Sequence, residues 1–323
     1  VLGLYVWIVE KYESRIPLFW GFITLLIFFI LFGLSNSVVF FGLSIFLFAF
    51  ANRILSISIN TQSITVQKLF SKKIIGSFHG LWSIGGITGV GITTLFVTFD
   101  IDIATHFYFI SSVGTITALF CYRILIKNDN TKSRTAISLR KLDPQILLLG
   151  LLILLIAPCE GGMFDWSGIY FKDIVNVEIF SIGYFIFMIF MSISRFASDR
   201  LIEKFGMPKM FVISAVLVGA GLSIAVIFPY FWPTIIGFSI VGLGTASVIP
   251  MTLALAGSSK NFSPGISISL VSTFAMFGIL MGPPLIGYIA HAFGLRVSFT
   301  MLIAFALLII PISKKYFSIS SVS

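Results

Sequence analysis

Long apolar runs follow one another along almost the whole chain, each broken by a few Gly, Pro, Ser, Asn or charged residues. Ten are long enough to cross a hydrocarbon layer ~30 Å thick as helices rising ~1.5 Å per residue. The breaks place them at roughly 16–34, 38–66, 76–99, 104–126, 144–170, 178–197, 208–229, 231–256, 264–290 and 295–313. Val1 to Val9 read as the tail of a further span, closed by the charged stretch Glu10 to Arg15. The second full run is long and aromatic-rich, and needs either tilt or an end outside the membrane. The pattern predicts an all-α membrane protein.

Composition narrows the class. With 58% hydrophobic residues, 10% charged residues and a mean hydropathy of +1.07, the chain falls outside the range of soluble domains. A net charge of +9 would ordinarily suggest a nucleic-acid partner, but the basic residues fall in short loops between apolar runs, where they act as topology signals. No nucleic acid is expected, and the partner is the lipid bilayer. Cys121 and Cys159 lie inside apolar runs without metal-ligand or redox spacing and read as small core residues, so neither a metal nor another cofactor is expected. The chain starts at Val1 with no methionine or leader, which reads as a lost beginning.

Lysine and arginine set the orientation. If alternate loops beginning with 10–15 are cytoplasmic, the inside collects 18 of the 21 Lys and Arg residues, Arg195 among them. The outside keeps Lys172 and Arg296, and Arg53 lies within a span. The C-terminus is then cytoplasmic. So is the polar segment 127–143, a linker between an N-terminal bundle over 1–126 and a C-terminal bundle over 144–323. Glu10-Lys11-Tyr12 recurs as Glu203-Lys204-Phe205, and Gly85 and Gly89 recur as Gly278 and Gly282, all at one offset of ~193 residues. Such a parallel repeat suits a transporter of two six-helix bundles. It would place helix 1 and most of helix 2 before Val1.

The candidate chemistry centres on Glu160-Gly161-Gly162-Met163-Phe164-Asp165-Trp166. No charge interrupts Ile146 to Cys159, so a helix carries Glu160 ~21 Å into the membrane, past its midplane. An ionisable group at that depth faces protein or a water-filled cavity, which makes it a functional candidate. Gly161 and Gly162 would let the helix loosen there. Asp165, ~28 Å from the cytoplasmic entry, belongs near the outer interface with Trp166 as a helix-end or gate residue. Glu160 is expected to be the main ionisable group of a transport pathway, with Arg53 as a candidate partner across a cavity. The alternative is a hydrogen bond from Glu160 to a neighbouring helix.

Two groups of motifs carry a family resemblance. Ser194-Arg195-Phe196-Ala197-Ser198-Asp199-Arg200, followed by Glu203-Lys204-Phe205-Gly206, resembles the signature of the major facilitator superfamily between helices 8 and 9. Its echo at Glu10 to Arg15 has Glu13 in place of the usual glycine. Ile59-Asn60-Thr61-Gln62, His79 to Gly86, Glu160 to Trp166 and Gly282 to Tyr288 resemble, in that order and spacing, the fucose-permease-like branch with its bacterial inner-membrane members. The resemblance implies a monomeric, multi-pass carrier in the bacterial plasma membrane. It would move a small polar solute, sugar-like or another small metabolite, by alternating access with proton coupling. Where the branch often has an acid shortly before the Asn-x-Gln pair, this chain has Ser56 or Ile57.

The remaining polar residues each have two readings. Arg53, between ~8 and ~20 Å from the cytoplasmic face, is either a structural ion-pair partner or an anchor for an anionic or hydroxylated solute. Asn60 and Gln62 should sit at a depth similar to His79 and Trp82, as an interhelical clamp or as a gate with a protonatable histidine. The glycine stripes match close-packing faces, which the resemblance places at the contact between the bundles. Asp199 is expected at the cytoplasmic edge, holding a helix N-terminus and pairing with Arg195 or Arg200 as a latch. A membrane enzyme would want a cluster of carboxylates, whereas Glu160 and Asp165 stand ~140° apart around their helix. No nucleotide-binding loop is present. The alternatives that stay open are a drug or metabolite efflux carrier and a non-transporting nutrient sensor.

Overall fold

The computed structural model describes residues 12–72, 74–127, 143–177, 182–259 and 261–320. The segment Val1 to Lys11 and residues 128–142 of the expected linker lie outside them. Among the described residues there are eleven helices: α1 (Arg15–Gly33), α2 (Val38–Gln67), α3 (Ile75–Thr98), α4 (Ile103–Tyr122), α5 (Pro144–Asp173), α6 (Ile182–Phe205), α7 (Met207–Ile227), α8 (Phe231–Thr245), α9 (Val248–Gly257), α10 (Pro264–Phe293) and α11 (Leu295–Ser320). Among the described residues, seven helical stretches are long and apolar enough to cross a membrane: α2, α4, α5, α7, α8 with α9, α10, and α11.

The chain forms two compact units. One draws on Val1–Leu69, Ile84–Ala136 and Ser259–Ser269, and the other on Phe70–Ser83, Ile137–Ser258 and Leu270–Ser323. In the first unit α1 packs on α2 and α4. Phe107 lies where a side chain on Gly33 would sit, and its ring meets Phe29 edge-on at 4.4 Å. Much of the outer surface of α2 is apolar, with Val38 89% and Val39 81% exposed, which suits hydrocarbon rather than water.

In the second unit α5 is central, packing on α6, α8, α9 and α11. Pro144 opens it and Asp143 caps it, accepting from the Gln145 amide at 2.9 Å. At its far end Tyr170 is fully buried among Phe238 and Phe299, and its hydroxyl donates to the Ala225 carbonyl at 2.9 Å. Pro158 lies within α5 and has no amide to offer the Leu154 carbonyl. Gly278 of α10 lies close against that carbonyl and Ala157, while Gly282 lies against Pro158 itself. This glycine pair therefore serves packing inside the second unit. Gly85 and Gly89, its sequence counterparts, have open space where a side chain would stand.

Four spans differ from the sequence expectation, the simplest being 295–313, whose helix runs on to Ser320. Of the expected span 178–197, the described part forms a helix from Ile182 that runs on to Phe205, followed by Gly206 at φ +77°, a backbone conformation that favours glycine. The stretch 231–256 is two helices that meet at Ala246 and Ser247. Pro250 explains the break, since it lacks an amide for the Ala246 carbonyl four residues back and its ring crowds that carbonyl. The helix expected to loosen at Gly161 and Gly162 runs through unbroken. A side chain on Gly162 would meet Ile286 at 2.7 Å and Leu302 at 3.3 Å, so this glycine permits close packing.

Asp102 caps α4, accepting from the Thr105 hydroxyl at 2.6 Å and the Thr105 amide at 2.8 Å. These bonds, the hydroxyl's first, favour the ionised form and hold the carboxyl below the usual aspartate range. A depressed folded-state pKa contributes stability above the unfolded value, and the contribution is lost as pH falls through the folded value. The cap is expected to hold at neutral pH and to fail only in acid. Asp102→Asn keeps the capping oxygen and should remove that acid sensitivity. Helicity of detergent-solubilised protein along an acid series checks this, and equal slopes for both proteins contradict it.

Candidate functional site

The middle of α5 meets the middle of α6. Counted from Pro144, Glu160 lies ~24 Å along its helix, and Arg195 lies ~15 Å before the end of α6 at Phe205. The Arg195 Nη2 donates to Glu160 Oε1 at 2.9 Å, with side chains only 3% and 8% exposed. This corrects the reading of Arg195 as a cytoplasmic latch residue and loop charge. The helix that continues to Gly206 carries it more than two turns inward, where it neutralises Glu160. Arg195 is thus the cation that meets Glu160.

Residues of α3 complete the guanidinium's surroundings within the same unit. Nη1 donates to the Ser83 hydroxyl at 2.6 Å, and the guanidinium carbon lies 5.1 Å from the centroid of the Trp82 ring, within cation–π range. Ser83 is fully buried and donates to the His79 carbonyl at 3.2 Å. The half-buried His79 ring is within electrostatic reach of Arg195. Within the ion pair itself two buried atoms have no hydrogen-bond partner among the described residues, Glu160 Oε2 and Arg195 Nε. A donor and an acceptor of the pair thus remain open in a desolvated place, and nothing stands where a side chain on Gly161 would project. Buried polar atoms carry a cost unless a water, proton or ligand group meets them, so the pair has chemistry to spare.

One turn further along α6, Asp199 meets the start of α3. Its carboxylate accepts from the Gly76 and Ser77 amides, both at 2.8 Å, and from the Ser77 hydroxyl at 2.7 Å. These amides belong to the first turn, where no partner exists within the helix, and a carboxylate there is also favoured by the helix dipole. Asp199 forms no ion pair with Arg195 or with the exposed Arg200, since its oxygens face α3 while Arg195 faces Glu160.

Most of the other residues singled out from sequence have partners within their own units. The Gln62 amide donates to the Ser14 hydroxyl at 2.7 Å and to the Ile126 carbonyl at 3.0 Å, and accepts from the Ile126 amide at 3.2 Å. That is a clamp inside the first unit, made with Ser14 and Ile126. Asn60 donates to the Ser56 carbonyl on its own helix at 2.8 Å. Arg53, half-buried, donates to the Ser269 carbonyl at 3.3 Å. Asp165 is exposed, and Trp166 packs beside Gly287 of α10. Ser83 was overlooked in the sequence because an isolated serine in an apolar helix carries little signal. Its place one turn after His79 and beside Trp82 was the available hint.

A profile of the Major Facilitator Superfamily matches residues 2–263 and 186–321. The chain belongs to this superfamily. Its helical fold resembles that of the superfamily transporter FucP in the outward conformation, with a TM-score of 0.78 over 95% of this chain and 84% of that one, at 13% identity. A second FucP structure, of a single-residue variant of the Escherichia coli fucose:proton symporter, gives 0.73 over 95% and 85% at 13% identity. These are likenesses of fold, and they agree with the fucose-permease-like resemblance of the motifs. An uncharacterised MFS-type transporter of Yersinia pestis is 26% identical over 270 residues, which cover 82% of this chain and 70% of the relative. The membrane protein MosC of Rhizobium meliloti is 30% identical over 274 residues, covering 82% and 65%. The chain is thus a multi-pass membrane transporter of this superfamily and not an enzyme.

Proposed function

We propose that the chain is a secondary carrier that moves a small polar solute by alternating access, driven by protons that load on Glu160. The observation that supports this is the buried Glu160–Arg195 pair at mid-helix, with one oxygen and one nitrogen still open. Such charges in a membrane protein belong to ion or solute pathways. A proton on Glu160 cancels its attraction for Arg195, and a solute that bonds either group competes for the same contact. Binding thereby shifts the balance between conformations.

In this reading the bundles are 1–126 and 144–323, joined by 127–143 on the cytoplasmic side with the C-terminus. The carrier acts as a monomer in a bacterial plasma membrane. Arg195, Trp82, Ser83 and His79 flank the site, and Asp199 latches α3. Lysine and arginine bias still supports the topology after Arg195 is removed from the loop charges.

The test is uptake by the protein in proteoliposomes under an imposed proton gradient, screened with sugars, organic acids and amphiphilic drugs as separate panels. Glu160→Gln keeps size and hydrogen bonding but cannot titrate. Loss of gradient-driven accumulation with retained exchange supports coupling through Glu160, and unaltered accumulation from acid to neutral pH removes it from the mechanism. Transport confined to amphiphilic drugs favours the efflux reading.

A further inference from the structure

We infer that Ser83 is a positioning residue for transport: through Arg195 it ties the docking of the first turns of α3 on α6 to the charge on Glu160. The inference rests on the proposed role of Glu160.

From Ile75 to Ser83, α3 is fixed to α6 at two levels. Asp199 holds the Gly76 and Ser77 amides, and Arg195 holds the Ser83 hydroxyl. Between them Gly80 meets Phe196 of α6 with only hydrogen. A side chain on Gly80 would enter the Phe196 ring at 2.9 Å, and one on Gly76 would collide with Ser198. Contact this close offers little room for gradual sliding, so the segment is either docked or displaced.

The two anchors differ in what they depend on. The Asp199 anchor is complete in itself. The Arg195 anchor is a guanidinium stretched between Glu160 on α5 and Ser83 on α3, buried on all sides. When Glu160 is neutral, Arg195 remains a buried cation with a serine hydroxyl and the Trp82 ring for company. Relief comes from water or from another acid. The ionisable groups around it are His79 on α3, which repels it when protonated, and Asp199, one turn away on α6. Cys159 flanks Glu160 on α5, but its thiol is engaged with the Leu155 and Leu302 carbonyls. Admitting water to Arg195 or turning it toward Asp199 both loosen α3. Neutralising Glu160 is therefore transmitted to α3, and Ser83 is the atom contact that transmits it.

The test needs no solute. In the full chain with Cys121→Ser and the buried Cys159 retained, Ile75→Cys places a thiol at the buried start of α3. Its labelling rate by a water-soluble maleimide is measured in nanodiscs at one fixed pH, so that His79 and Asp199 do not change state between samples. Glu160→Gln and Ser83→Ala are each expected to raise the rate about fivefold, the population change that loss of one net hydrogen bond brings. The double variant should be no faster than either alone, because both cut the same link. Ser83→Thr, which keeps the hydroxyl, should restore the original rate. An unchanged rate in Glu160→Gln, or a double variant whose increase is the product of the two, overturns the link. If Glu160→Gln does not elute as folded protein, the serine pair decides alone: no increase in Ser83→Ala, or an equal increase in Ser83→Thr, overturns it. Loss of gradient-driven uptake in Glu160→Gln with unaltered labelling would sink the link and leave the proposed function standing. Faster labelling with unaltered uptake would do the reverse.

Discussion

Replacing Arg195 by leucine is expected to cost the folded protein about 3–5 kcal/mol, the range for removing one partner of a buried ion pair. The carboxylate of Glu160 would remain at mid-helix without a counter-charge, under packing that admits little water. Glu160→Leu should be comparably damaging, since it strands the guanidinium between Ser83 and Trp82. The double variant Glu160→Leu/Arg195→Leu is expected to recover most of the loss, because two apolar side chains of similar bulk carry no desolvation penalty. Thermal unfolding in detergent, followed by size exclusion, measures all three. Additive losses in the double variant would mean that the two residues act separately. Recovery of stability together with absence of transport would assign the pair to function rather than to holding the fold.

The second large effect concerns α7 and α8. Gly221 and Gly237 face each other across the crossing, and a side chain on either would stand 2.5 Å from the other's carbonyl oxygen. Backbone cannot swing aside as a flexible side chain can. Gly221→Ala is expected to separate the helices and to destabilise the protein by about 1–3 kcal/mol, as overpacking of a tight core does. Gly85→Ala, into open space, should leave stability unchanged or raise it slightly through helix propensity. Equal thermal shifts for the two variants would contradict the close crossing.

Those glycines show where sequence stops being informative. Gly85 and Gly278 stand at corresponding points of an apparent repeat, yet one faces open space and the other abuts the carbonyl that Pro158 leaves free. Four-residue glycine spacing reports that a helix has a flat face and is silent on what covers it. Glu160 was legible because fourteen uncharged residues before it fixed its depth. Its partner was not, because Arg195 begins a run of mixed charge that reads as a loop. Gly206 followed by Pro208 is the stop signal that would have placed the helix end correctly, and Pro250 would have marked the break before α9. Gln62 illustrates a different limit: its spacing shows that it is buried, while its choice of Ser14 and Ile126 depends on chain segments far away in sequence.

If Glu160 loads the proton as proposed, the Glu160–Arg195 pair would also set how the carrier responds to voltage. While both groups are ionised their charges sum to zero, so carrying them through the membrane potential requires almost no electrical work. A proton on Glu160 leaves the positive charge of Arg195 uncompensated, and one elementary charge crossing the full field is worth ~2.3 kcal/mol per 100 mV. Reorientation with the proton aboard would then be sped or slowed by the potential, while return of the unprotonated pair would be electrically silent.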